Sequence, residues 1–63
     1  MQIADIQPNT LIINSSTGNA KVQRVKSVHV HNSTNSFEIE FDDGTWIGDW
    51  LDSDISLYLE IID

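Results

Sequence analysis

Apolar and acidic side chains alternate most regularly from Phe37 to Phe41. A period of two is typical of a strand that buries one face, so this segment predicts a strand with the aromatic residues inside. The apolar run Leu11 to Ile13 predicts an earlier strand. Turn-forming residues cluster at 7–10, 14–19 and 32–36, and these clusters predict the connections between strands.

The segment from Lys21 to His31 lies between the second and third turn clusters and is rich in β-branched residues. Its alternation breaks, because Val22, Val28 and Val30 fall at one parity and Val25 falls at the other. A strand that changes its buried face must bend or contain a bulge. The sequence therefore predicts one long, bent strand here.

The dipeptide Asp43-Gly44 predicts a hairpin, because both residues accept the positive φ angles of a type I′ turn. The returning strand then runs from Thr45 to Trp50. In a two-residue loop Trp46 lies directly opposite Phe41, and directly opposed side chains point to the same face of a sheet. This register buries both indoles of the returning strand.

A three-residue loop from Asp42 to Gly44 gives the opposite result, with Ile47 in the core and both indoles outside among the acids. We favour the two-residue loop, because a chain of 63 residues has few large apolar side chains to bury. Gly48 is a natural site for a bulge, which would keep Trp46 inside and expose Trp50. We therefore predict that Trp46 is a core residue and that Trp50 faces a partner.

The C-terminal segment has two interpretations. We favour a loop or single 3-10 turn over residues 51–54, followed by a final strand from Ile55 to Ile62 with Leu57, Leu59 and Ile61 on one side. Apolar residues of the same segment also fall at helical spacing, so an antiparallel sheet with a C-terminal helix is the alternative.

This order of elements, with the hairpin motif Phe41-Asp42-Asp43-Gly44, resembles that of SH3-like small barrels of the Tudor and KOW type. The resemblance implies an all-β fold, a five-stranded, partly open barrel with a short 3-10 turn before the last strand, formed by residues 1–63 as a single domain. It also implies a binding module, since such barrels are usually adaptors.

Charge limits the partners that this chain can bind. The net charge is -7; Lys21, Arg24 and Lys26 are its only cations, and all but one of the 10 Asp and Glu residues lie beyond Ser36. Such a surface repels phosphate backbones and attracts basic proteins, so direct nucleic-acid binding is not expected. The absence of cysteine, of an export signal and of a long apolar run predicts a cytoplasmic protein without membrane contact.

The chain carries no motif for catalysis. It lacks a nucleophile elbow and a phosphate-cradling glycine pattern, so we do not expect an enzyme. His29 and His31 have a spacing that can chelate a metal, but no third ligand accompanies them, and the aspartates do not follow a calcium-binding loop. We predict neither a metal nor a cofactor.

These features predict an acidic protein-binding module, an inhibitor or regulator that docks on a basic, nucleic-acid-binding protein with carboxylates in place of phosphates. Trp50 would be its apolar anchor. The charged contacts would come from Glu38, Glu40, Asp42, Asp43, Asp49, Asp52 and Asp54. A small acidic domain of this kind is what a phage or mobile element would encode as an inhibitor, although a chromosomal adaptor would have the same features.

Two other functions remain open from the sequence. Phe37, Trp46, Trp50 and Tyr58 could form a Tudor-like aromatic cage for a peptide or a modified lysine, held by cation–π attraction. Alternatively, the open edges of the barrel could pair and form a homo-oligomer.

Overall fold

A computed structural model describes residues 3–62. Five antiparallel strands form one sheet in the order β4-β3-β2-β1-β5. The strands are β1 (Leu11–Asn14), β2 (Lys21–His31), β3 (Ser36–Phe41), β4 (Trp46–Trp50) and β5 (Leu59–Ile61). The sheet is not closed, because β4 and β5 are its two edges. The predicted all-β, five-stranded, partly open fold with a 3-10 turn before the last strand is confirmed.

Apart from the strands, the described residues contain three short 3-10 segments, Ile3–Asp5, Asn32–Thr34 and Ile55–Leu57. The alternative with a C-terminal α-helix is therefore wrong. None of the helical segments in residues 3–62 has the length or apolar character needed to cross a membrane.

The core is built from alternate residues of the strands and from the segments that flank them. On β3, Phe37, Ile39 and Phe41 are buried while Glu38 and Glu40 point the other way, as the alternation predicts. Among residues 3–62, the buried apolar side chains are Ile6, Ile12, Val25, Phe37, Ile39, Phe41, Ile55 and Leu59.

The predicted irregularity in the long strand is confirmed. Val25 pairs with Phe41 and Ser27 pairs with Glu40, so Lys26 is the extra residue of a bulge. The bulge moves the buried face from one parity to the other. It also lets one end of β2 pair with β1 and the other end pair with β3.

The final strand is shorter than predicted. Residues Ile55–Leu57 form a 3-10 turn, because the Asp54 side chain caps it by accepting the Ser56 backbone N–H and because Ile55 is buried. The turn lies later in the chain than the predicted 51–54. Leu57 is 82% exposed whereas Leu59 is buried, so the prediction that they lie on one side of the same strand is wrong.

The register of the β3–β4 hairpin is the one that the three-residue loop gives. Glu40 pairs with Trp46 and Ile39 pairs with Ile47, with no register shift at Gly48. The prediction that Trp46 lies in the core opposite Phe41 is wrong, and so is the expected bulge. The favoured register would have placed both indoles inside, whereas the observed one buries the smaller Ile47 side chain in part.

Local chemistry of the turn explains this outcome. The Asp43 carboxylate accepts hydrogen bonds from the backbone N–H and the hydroxyl of Thr45, at 3.0 and 2.6 Å. Gly44 has a φ of 88°, and the Phe41 N–H donates to the Thr45 carbonyl. A glycine with positive φ at the end of a three-residue loop is a common hairpin connection. These contacts outweigh the preference for burying a tryptophan.

A buried amide network fixes the turn to the rest of the sheet. Gln23 of β2 accepts from the Asn14 amide of β1 and donates to Asp43 and to the Thr45 hydroxyl, at distances of 2.8 to 2.9 Å. Lys21 adds an ion pair to Asp43 at 3.1 Å. The hairpin turn is thus held by two side chains of β2, and Asn14 of β1 holds one of them, Gln23, in place.

Candidate functional site

Alternate residues of β2, β3 and β4 form a surface on the side of the sheet opposite the core. Cross-strand pairs place Glu40 beside Trp46 and Glu38 beside Gly48, and the same rows continue into β2. Directly paired residues point to one side of a sheet. We call this surface the outer face, and it consists of Ser27, His29, His31, Ser36, Glu38, Glu40, Trp46, Gly48 and Trp50.

The two indoles are the most conspicuous apolar groups of the outer face. Trp46 is 65% exposed and Trp50 is 60% exposed. Between them lies an open cleft of about 330 Å³ that is also lined by Gly48, Glu38 and Ser36. Two large exposed indoles on one small strand are unusual for a protein with so little core, and such side chains frequently anchor interfaces.

Gly48 determines the shape of this cleft. A Cβ atom at this position would lie 3.5 Å from Cζ3 of Trp46 and 3.3 Å from the carbonyl oxygen of Phe37. The absence of a side chain lets the Trp46 ring lie close to the strand backbone and leaves a floor between the two indoles.

Two carboxylates stand beside the indoles. Glu38 lies 3.5 Å from the His31 ring, and Glu40 lies 3.8 Å from the Lys26 ammonium and 3.5 Å from the Ser27 hydroxyl. Ion pairs this exposed contribute only about 0–1 kcal/mol each. A cationic partner can therefore replace them at little cost.

Three of the other predicted site acids hold local structure instead. Asp43 fixes the hairpin turn, and Asp54 caps the 3-10 turn. Asp49 points to the core side of β4, where it accepts hydrogen bonds from the Trp50 N–H, the Ser53 hydroxyl and the Tyr58 hydroxyl at 2.7, 2.9 and 2.6 Å. Asp49 thereby ties the end of β4 to the segment before β5.

The pKa directions agree with these roles. Hydrogen bonds from Thr45, first from its side chain and then from its backbone, lower the pKa of Asp43 well below its usual range. The Tyr58 hydroxyl is the main cause of the lowered pKa of Asp49. Burial, followed by the bond to Asp49, raises the pKa of the Tyr58 phenol in turn.

A pH titration of stability should reveal the Asp43 contacts. Its folded-state pKa lies below the unfolded value of about 3.9, so its stabilisation is present above that value and is lost as the pH falls further. Asp43→Asn should therefore lose less stability than the wild type between pH 5 and pH 2, measured by urea unfolding at each pH. Asp42→Asn, which leaves the Asp43 carboxylate in place, is the matched control. Parallel pH profiles for Asp43→Asn and the wild type would contradict this assignment.

The predicted binding residues thus occupy different places. Glu38, Glu40 and Trp50 share the outer face. Asp42 is exposed in the hairpin turn, and Asp52 lines a second cleft beside Trp50. The sequence-based prediction does not include Trp46 and Gly48 in the face. The signal for both is the three-residue loop, because that register turns Trp46, Gly48 and Trp50 to the outer side of β4.

The cationic segment of β2 makes contacts within this chain. Lys21 pairs with Asp43, Lys26 lies near Glu40, and the Arg24 guanidinium donates to the Asn9 carbonyl at 2.7 Å. The positive charges therefore offset acids locally and brace the β1–β2 end of the sheet.

The four aromatic residues considered for a cage do not share one surface. Phe37 is 1% exposed and pairs with Asp49 on the core side, opposite to the face that carries Trp46 and Trp50. Tyr58 donates its hydroxyl to Asp49. Within residues 3–62 no three histidine or acidic side chains come together in a way that could hold a metal ion.

Comparison of the chain with protein-family models, with curated proteins and with solved structures finds no match. The function must therefore be inferred from the outer face itself.

Proposed function

We propose that the protein is a non-enzymatic binding module that docks on a basic, nucleic-acid-binding protein and inhibits or regulates it. The observation that carries the proposal is the outer face, on which Trp46 and Trp50 stand beside Glu38 and Glu40. Exposed indoles supply contact area that excludes water, and nearby carboxylates favour a cationic partner through electrostatic complementarity.

The distribution of charge supports a basic partner. The net charge is -7, and no Lys or Arg follows Lys26 in the sequence. The acids at the hairpin turn and beside Trp50 extend the negative field of the outer face in two directions. A field of this sign raises the association rate with a cationic surface and repels nucleic acid.

Phosphate mimicry adds a specific expectation. A partner that normally binds nucleic acid uses Lys and Arg to neutralise phosphates. If the carboxylates of Glu38 and Glu40 take the place of phosphates on that surface, the module and nucleic acid compete for the same cations.

Affinity capture with purified variants tests this proposal. Wild-type protein and a Glu38→Lys/Glu40→Lys variant are immobilised and exposed to a lysate of the native host at low salt, with Glu60→Lys as the control for charge on β5. We expect a basic protein that the wild type and Glu60→Lys retain and the double variant does not. That partner, once purified, should release the module when a DNA or RNA duplex is added. A partner that binds the module and nucleic acid together, or retention unaffected by the double variant, would overturn the proposal.

A further inference from the structure

The cleft between the two indoles has a defined lining, which a purely electrostatic contact between an acidic and a basic surface would not need. We propose that it receives a single arginine side chain of the partner, with the guanidinium lying against an indole face and pairing with Glu38. This inference rests on the proposed function, because it assumes a basic partner and names the side chain of that partner that the outer face binds.

The shape of the cleft suits a planar group on an extended stem. Trp46 and Trp50 line its two ends, the backbone at Gly48 lies between them, and Glu38 stands at one side. The cleft opens to solvent, so a side chain from another surface can enter without rearrangement of the sheet. A Cβ at Gly48 would lie 3.5 Å from the Trp46 ring, so a side chain at this position would change the position of that indole and the shape of the cleft.

The chemistry of the lining favours arginine over lysine. An indole face attracts a cation, and a guanidinium can stack on it while its N–H groups reach a carboxylate in a planar, bidentate arrangement. An ammonium group is more strongly hydrated and offers no flat surface. A methylated lysine is best enclosed by several aromatic walls, and Phe37 and Phe41, the other two aromatic residues of this hairpin, lie in the core.

Charge around the cleft is compatible with this occupant. The His31 ring lies 3.5 Å from one oxygen of Glu38, and His29 lies on the same row of the sheet as Glu38. An incoming guanidinium replaces the His31 ring as the partner of the Glu38 carboxylate. A second copy of this chain is a poorer occupant, because each copy carries a net charge of -7.

Short peptides can test the cleft without the natural partner. Three blocked tripeptides are compared, Gly-Arg-Gly, Gly-Lys-Gly and Gly-citrulline-Gly, the last of which keeps the arginine shape without its charge. The two indole N–H signals of ¹⁵N-labelled protein are followed by NMR into the millimolar range, with assignment by Trp50→Phe. We expect saturable shifts of both signals with the arginine peptide, weaker binding of the lysine peptide by about fivefold, and no saturation with citrulline.

Substitutions then locate the site. Gly48→Ala fills the floor of the cleft without changing charge, and Glu38→Gln removes the carboxylate; each should weaken arginine binding by at least about fivefold. Glu60→Gln on β5 should leave it unchanged, and dispersed backbone spectra confirm that each variant is folded. Equal binding of the three peptides, unchanged binding by Gly48→Ala, or indole shifts that depend on protein concentration alone would overturn the inference. If the peptides give one of these contrary results while the module still captures a basic partner through Glu38 and Glu40, the arginine cleft is wrong and the proposed function stands.

Discussion

Trp50→Ala is expected to weaken binding of the basic partner by about thirtyfold or more, the effect of losing a central interface tryptophan. Trp50 is 60% exposed and belongs to the outer face. Its removal should therefore change the free energy of unfolding little, since little of its surface is buried in the folded chain. Calorimetric titration with the purified partner measures the first quantity, and urea unfolding measures the second.

Leu57→Ala provides the matched control for this substitution. Leu57 is the most exposed of the large apolar side chains that the structure describes, and it lies in the 3-10 turn rather than on the outer face. Leu57→Ala should leave the affinity for the partner within about twofold of the wild type, as surface changes outside an interface usually do. Equal losses for the two variants would mean that binding does not depend on the outer face.

Phe37→Ala should have the largest effect on stability, a loss of about 3–5 kcal/mol in the free energy of unfolding. Phe37 is 1% exposed and is among the largest side chains of the core. The total stability of domains is commonly only about 5–15 kcal/mol, and a small chain lies near the lower end. We expect a largely unfolded variant at room temperature, with loss of chemical-shift dispersion in NMR spectra.

Val30→Ala is the control for the Phe37 substitution. Val30 pairs with Phe37 across the β2–β3 ladder and is exposed, so its truncation should cost about 0.5 kcal/mol or less. A Phe37→Ala variant as stable as Val30→Ala would show that Phe37 is not part of the core.

Much of the fold could be predicted from local sequence. The alternation from Phe37 to Phe41 defines β3, and the parity change between Val25 and Val28 marks the bulge in β2. The register of the hairpin could not be derived in this way. Both loop lengths fit the local pattern. The observed turn is held by the contacts between Asp43 and Thr45 and also by Gln23, which lies 20 residues before Asp43 and donates a hydrogen bond to it.

The candidate site could be predicted only as a charged region. The sequence places many acids in the second half of the chain, and all of them look equivalent there. The structure separates them, because Asp49 and Tyr58 meet through a contact that spans 9 residues, while Glu38 and Glu40 follow the pleat of β3 to the outer face. The predicted site also lacks Trp46, because the two-residue loop that the sequence favours places this side chain in the core.

The most direct test of the outer face as a binding surface is an NMR footprint of the purified partner on the ¹⁵N-labelled protein. We predict that the indole N–H signals of Trp46 and Trp50 and the backbone signals of Glu38 and Gly48 change most on binding, and that those around Leu57 do not. Unchanged indole signals, with the largest changes around Leu57, would contradict the account.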